Sequence, residues 1–473
     1  MAGGAFVDTA CGKQYPGKLT LYVVFTCVVA STGGLIFGYD IGISGGVTSM
    51  DPFLLKFFPE VYRQKQAASK SNQYCQYDNQ LLQAFTSSST SPPSSPPSSP
   101  PRSPASSAAS GPFCAGVPIG DGTCASPRHA QHCFQLMITI GILAAELINY
   151  STNKIKGGHG WRVSLALAAV PAVIITVGAL FLQTPQLTDG RGHPEASRRM
   201  LRRIRGTDDI GEEYADLVAA REISKQVQHP WRNILMRKYR AQLTMAVLIP
   251  FFQQVSGINV INFYAPVLFE TLGFRGDASL LSSVMTGGVL VLGSVVSMFT
   301  VDRLGRRKLF LQGGAQMLVS QIAVGTLIAV RFGTSGVGEM PRGYAAAVVL
   351  FICVYVAGFV WSWGALGWLV PSEIFPLEIR SAGQSITVSV NMFFTFVIAQ
   401  AFLTMLCHMK FGLFYFFAGW VVVMTTFVAF FLPETKNVPM EEMVLVWKGH
   451  WFWSRFIGDA DDIHAGVSVI ALT

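Results

Sequence analysis

Nine apolar runs, each about as long as a bilayer is thick, leave this chain few ways to fold. They lie near residues 19–38, 134–150, 163–182, 243–269, 280–300, 309–330, 344–370, 383–406 and 411–432. A hydrocarbon core takes roughly 20 residues of α-helix to cross, and only helices or closed barrels satisfy their backbone polar groups in lipid. Over 473 residues, 51% are hydrophobic and 13% charged. A soluble domain carries about 25% charged residues. The expected class is therefore an all-α polytopic membrane protein. The net charge of +8 sits in loops flanking the runs, as orientation in a membrane requires, and does not point to nucleic acid. Eight cysteines are scattered without metal-ligand spacing, so neither a metal site nor a cofactor is expected. No nucleophile–base or metal constellation appears, which argues against an enzyme.

The strongest positive clusters fix the sidedness. Residues 191–240 hold twelve Lys/Arg against seven acids, with Arg198-Arg199 and Arg202-Arg203 on one helical face. The second cluster is Arg303-Leu304-Gly305-Arg306-Arg307-Lys308. Both are expected on the cytoplasmic side, and two runs separate them, which is consistent. Counting forward puts the C-terminus inside. Counting backward makes the run at 134–150 begin inside. A first run entered from the inside ends outside, so an odd number of crossings must lie between residues 42 and 133; none is visible, and either the N-terminus is flipped or something is missing.

Polar groups inside the apolar runs are the candidate site. Gln253, Gln254, Asn259 and Asn262 fall within the run at 243–269, around Ser256-Gly257, which invites a break in the helix. Amides both donate and accept, which suits a neutral hydroxyl-rich ligand better than an ion. A single amide is as readily explained as glue between helices. A cluster with a glycine break favours a midplane binding site. Asn391 and Thr395 are four residues apart and share a helical face. Trp368 offers an aromatic face or simple packing. Asp40, at the end of the first run, reads as a proton-carrying carboxylate or a helix-end acid.

The chain divides into residues 1–84 (first span and an outer polar region), 85–132, 133–182 (two spans), 183–241 (a cytoplasmic loop), 242–436 (six spans) and 437–473 (a Trp-rich cytoplasmic tail). Residues 85–132 are a Ser/Pro-rich tract of disordered composition.

Several motifs carry a family resemblance. Asp302-Arg303-Leu304-Gly305-Arg306-Arg307, the stretch Pro371-Ser372-Glu373-Ile374-Phe375-Pro376-Leu377-Glu378-Ile379-Arg380, and Pro433-Glu434-Thr435-Lys436 resemble the cytoplasmic motifs of the sugar-porter branch of the major facilitator superfamily. Gln253-Gln254-Val255-Ser256-Gly257-Ile258-Asn259 resembles its seventh-helix sugar motif. Gly45-Gly46-Val47-Thr48-Ser49-Met50 and Phe134-Gln135-Leu136-Met137 narrow the resemblance to plant monosaccharide/proton symporters. The resemblance implies the twelve-helix facilitator fold, here with about nine helices, the second to fourth being absent. That would account for the missing crossing. A Ser/Pro run is also what an apolar helix becomes when its codons are read one base out of frame. Sequencing the transcript decides whether the tract is genuine.

The resemblance further implies roles. Gln135, Gln253, Gln254, Asn259, Asn391 and Thr395 would contact a hexose, with Phe37 and Trp368 lining the pocket. Asp40 would couple the proton, although the arginine it pairs with in the family belongs to an absent helix. Asp302, Arg303, Arg306, Glu373 and Arg380 would form a cytoplasmic gate. Cys75 and Cys407 would join an outer lid to the other half of the molecule. A monomer in the plasma membrane is the family's usual form. Two departures stand out: Leu290 replaces an expected asparagine, and Gly364-Ala365 replaces a Gly-Pro hinge.

Overall fold

A computed structural model describes residues 21–67, 73–88, 127–181, 194–215, 218, 229–271, 277–333, 341–436, 438 and 443–457. Among the described residues the structure is helical, without strands. The first span is α1 (Leu21–Ser49). Short helices follow it: α2 (Asp51–Phe57), α3 (Pro59–Ala67) and α4 (Gln80–Ser88). Then come α5 (Pro127–Thr152), α6 (Gly160–Leu167) with α7 (Ala169–Phe181), and a basic helix α8 (Pro194–Arg205). The C-terminal half holds α9 (Arg240–Val255), α10 (Ile258–Thr271), α11 (Asp277–Leu304) and α12 (Arg306–Phe332). It continues with α13 (Arg342–Phe359), a π turn (Val360–Gly364) and α14 (Ala365–Ile374). The last helices are α15 (Leu377–Met409), α16 (Gly412–Phe431) and α17 (Met443–Lys448). Eight segments beyond α1 are long and apolar enough to cross a membrane, matching the eight later runs of the sequence.

The direction of α5 bears on the missing crossing. Gly34 faces Phe134, Gly38 faces Ile138, Gly42 faces Ile142 and Ala145, and Gly46 faces Asn149. Both helices therefore run the same way, which is from inside to outside if the charged loops lie inside as the sequence leads one to expect. A side chain at Gly38 or Gly141 would strike the partner backbone, so these glycines set the close approach. Asn149 donates to the Gly42 and Ile43 carbonyls at 3.2 and 3.4 Å and fixes the register. The chain is at the outer side at α4 and at the inner side where α5 begins. The residues between them, 89–126, where the sequence count leaves its missing crossing, lie outside the described residues. Of the tract expected at 85–132, α4 takes in 85–88 and α5 begins at Pro127.

The outer side is tied together through the short helices. Cys75 and Cys407 form a disulfide with Cα atoms 4.5 Å apart. Lys65 bridges Asp51 at 2.8 Å and Glu270 at 2.9 Å, and Tyr77 donates to Glu270. Burial works to lower the Lys65 ammonium, but the Glu270 and Asp51 carboxylates more than offset it and hold it above the ordinary lysine range. At the tail, Trp447 and Trp453 are buried, and the Trp453 indole donates to the Phe431 carbonyl at 2.8 Å. Trp451 alone of the three stays exposed.

Candidate functional site at the junction of the two halves

The helix carrying the amides breaks where the sequence invites it. α9 stops at Val255, Gly257 has φ +90°, and α10 begins at Ile258. A residue with a Cβ would be strained there and would also meet the Phe417 ring at 2.8 Å. The carbonyl of Ser256, released from helical bonding, accepts from Gln321 Nε2 at 2.8 Å and Tyr355 Oη at 3.0 Å. The break is thus satisfied by α12 and α13, as membrane-embedded backbone requires.

Around it the amides form a lattice. Asn391 Nδ2 donates to Gln253 Oε1 at 2.7 Å. Gln253 Nε2 donates to the carbonyls of Trp363 and Gly364, at 3.1 and 3.4 Å. Those carbonyls belong to the π turn and to its junction with α14. A π turn shifts the helical bonding register and is a frequent mark of functional sites. It breaks the regular helix at the hinge position although Ala365 stands where a proline was expected. Asn259 Nδ2 donates to Gln254 Oε1 and, at 3.4 Å, to Thr395 Oγ1. Thr395 in turn donates to the Asn391 carbonyl at 2.8 Å.

This lattice forms one wall of a cavity holding about 580 Å³ of empty space, the part open to solvent included. All eight residues expected to touch or line a ligand are brought to it: Phe37, Gln135, Gln253, Gln254, Asn259, Trp368, Asn391 and Thr395. Leu290 also lines it, so an apolar side chain occupies the place of an expected amide. Sequence reading missed Ile138, Thr139 and Ile142 as lining residues. They lie three, four and seven positions beyond Gln135, and that spacing on one helix face was the available signal. Asn262 lines the cavity as well, and its Oδ1 is buried without a partner among the described residues.

Other expected residues lie elsewhere. Asp40 is half-buried on α1, and no described cation forms an ion pair with it. At the cytoplasmic side Arg306 is fully buried and meets Glu373, with Nη2 2.9 Å from Oε1 and Nε 3.3 Å from Oε2. Glu434 accepts from the backbone N–H groups of Arg306 and Arg307 at 2.8 and 3.1 Å, capping α12 where its dipole favours an anion. Arg380 Nε donates to the Phe375 carbonyl at 3.3 Å. Arg303 is exposed, and its carbonyl accepts from Lys436. The Asp302 side chain lies outside the described residues. Each of these bonds joins two residues of the C-terminal half.

Known proteins resemble this chain throughout. The profile of the family described as Sugar (and other) transporter matches residues 26–117 and 129–447. Sugar transport protein MST3 of Oryza sativa subsp. japonica is 68% identical over 513 aligned positions, covering 100% of this chain and 99% of that protein. The aligned length exceeds the 473 residues of this chain, so the relative holds residues that this chain lacks. Sugar transport protein 1 of Arabidopsis thaliana is 56% identical, covering 98% of this chain and 96% of that protein. Among solved structures, the proton:xylose symporter XylE bound to 6-bromo-6-deoxy-D-glucose shares the fold, with TM-score 0.62 at 20% identity. It covers 90% of this chain and 99% of that one.

Proposed function

The chain belongs to the Sugar (and other) transporter family, in the sugar-porter branch of the major facilitator superfamily, and from that premise we propose that it carries a hexose together with a proton by alternating access. The observation that carries this reading is the cavity itself. Its walls come from both halves, and its polar groups are neutral amides that can exchange their mutual hydrogen bonds for sugar hydroxyls. Trp368 supplies a face for the C–H groups of the ring. Rocking of one half against the other would expose the cavity alternately to each side. Asp40, on the helix that contributes Phe37, is the proton carrier in this reading. The plasma membrane and a monomeric state go with it.

The test is uptake of labelled glucose into cells lacking hexose carriers, with and without a proton gradient. Gradient-dependent uptake abolished by Asp40→Asn is the expected result. Surface-localised protein that moves no sugar removes coupled transport.

One observation favours a second reading, a chain that binds sugar without coupling it: no described cation pairs with Asp40. Saturable sugar binding with no uptake is its signature.

A further inference from the structure

The seam between α5 and α11 holds a carboxyl group that the transport reading does not use. Glu146 is 4% exposed, and no described residue donates to its Oε2. It sits over Gly287, where any side chain would collide with that oxygen. The two helices run in opposite directions: Thr139 meets Ser294 at 3.2 Å, Glu146 meets Gly287, and Asn153 meets Asp277 at 3.3 Å. Asn153 and Asp277 lie at the outer ends. Glu146 is therefore one helical turn outward from Ile142, and Gly287 about one turn outward from Leu290, both cavity residues. The carboxyl lies just outside the cavity, where the two halves close over it.

Ionisable groups on the surrounding helices are engaged or remote. On α1, Tyr39 donates to the Ser164 carbonyl, and Asp40 is level with Ile138 and Gly141, more than a turn further in. On α11, Asp277 accepts from Asn153, and residues 278–301 hold no ionisable side chain. On α6, His159 and Arg162 contact each other at 3.1 Å. On α14, Glu373 is held by Arg306 at the inner end. On α5 itself, Tyr150 lies under Lys154, 4.0 Å from its ring, and His132 and Cys133 are at the inner end.

We propose that Glu146 is a proton-binding site that senses the outer medium and couples it to closure of the outer seam. A buried carboxylate without a partner is costly, so the seated group is the neutral acid. When α5 and α11 part, water reaches the group and it ionises, releasing its proton outward. Closing reverses this, and one proton moves from the outer water to Glu146. The consequence for transport rests on the alternating-access reading, but the proton site does not depend on sugar. Outer acidity would favour the closed seam independently of Asp40.

The experiment places spin labels at Ser151 and Leu281, exposed positions on the outer parts of α5 and α11. The full chain is reconstituted in nanodiscs without sugar, with its free cysteines replaced. A single linked proton changes the closed-to-open ratio by up to about tenfold per pH unit. The short-distance population is expected to grow as pH falls in the parent protein, and to dominate at every pH in Glu146→Gln. Gly287→Ala, which unseats the carboxyl, is expected to deplete it and to move its growth to lower pH. A seam distance independent of pH in the parent overturns the proposal. So does a parent-like pH profile in Glu146→Gln, or loss of the profile in Asp40→Asn alone. Should Glu146→Gln not fold, an unaltered profile in Gly287→Ala overturns it. Glucose binding, measured on the same sample, separates the two readings. Binding with a pH-independent seam removes only the proton site, and a pH-dependent seam without binding removes only the sugar reading.

Discussion

The two halves of the molecule differ in how their buried groups are held. In the C-terminal half nearly every buried polar group of the site has a partner on another helix. Gln253 joins α9 to α15 and to the π turn, and Ser256 is held by α12 and α13. The span formed by α9 and α10 is 78% buried. In the N-terminal part the span of α6 and α7 is only 17% buried. Val170, Val173, Ile174 and Val177 are exposed along it. Its cavity wall carries one amide, Gln135, and one hydroxyl, Thr139, among apolar side chains. The difference teaches a division of labour. In the proposed reading, the C-terminal half is the preorganised binding surface, and α1 with α5 is the smoother wall that closes on it.

The comparison breaks most easily at the cytoplasmic side. Arg306 is fully buried and balanced by Glu373. Removing one charge of a buried pair weakens the balance of the other, at a cost of up to about 3–5 kcal/mol. Glu373→Gln is expected to destabilise the C-terminal half by that amount in denaturant or thermal unfolding of purified protein. Arg307→Ala, at an exposed position, is expected to change stability by less than about 1 kcal/mol. Equal effects would show that burial does not set the importance of this cluster.

The walls of the cavity come next. Gln253→Ala deprives Asn391 and two π-turn carbonyls of partners, each unsatisfied buried group costing about 1–3 kcal/mol. Equilibrium sugar binding is expected to weaken by roughly a hundredfold or more. Gln135→Ala, on the smoother wall, removes one contact and is expected to weaken binding about tenfold or less. If the two losses prove equal, the polar lattice is not the principal binding surface.

Much of this contrast is legible in the sequence, for a physical reason. Polar groups in an apolar run are expensive, so Gln253, Gln254, Asn259 and Asn391 stand out, and Ser256-Gly257 marks its own break. The parity of the charged loops requires an additional crossing before α5, and the shared direction of α1 and α5 agrees. Other features leave no such mark. The π turn is hidden because its usual proline is Ala365, and helical register shifts have no residue signature of their own. Lys65, Asp51 and Glu270 meet only through tertiary contact. Glu146 escapes notice because a lone acid near a helix end looks like an interfacial residue until its neighbours are known.

The outer lid refines the comparison by pH. Lys65 titrates above the ordinary lysine range, so on the lysine side the bridge persists until pH rises through the raised value. Contacts between lid and C-terminal half should therefore be constant through neutral pH. Hydrogen exchange of α3 would show it, and a loss of protection between mildly acidic and neutral pH would contradict the assignment.

The smallest expected effect is the most informative about specificity. Leu290 is 3% exposed and lines the cavity from α11. Leu290→Asn adds an amide on the same cavity as Asn262, whose Oδ1 lacks a described partner. Two consequences oppose each other. The free protein loses part of the apolar contact of a leucine, a cost of about 1–2 kcal/mol, and exposes an amide that needs a partner. The complex gains one hydrogen bond to sugar, a net contribution of about 1 kcal/mol. Thermal stability should therefore fall while sugar affinity rises about fivefold, as read by isothermal titration and thermal unfolding of the same preparation. A fall in both would mean that the introduced amide turns away from the ligand. In that case Leu290 would belong to the closing seam rather than to the binding surface.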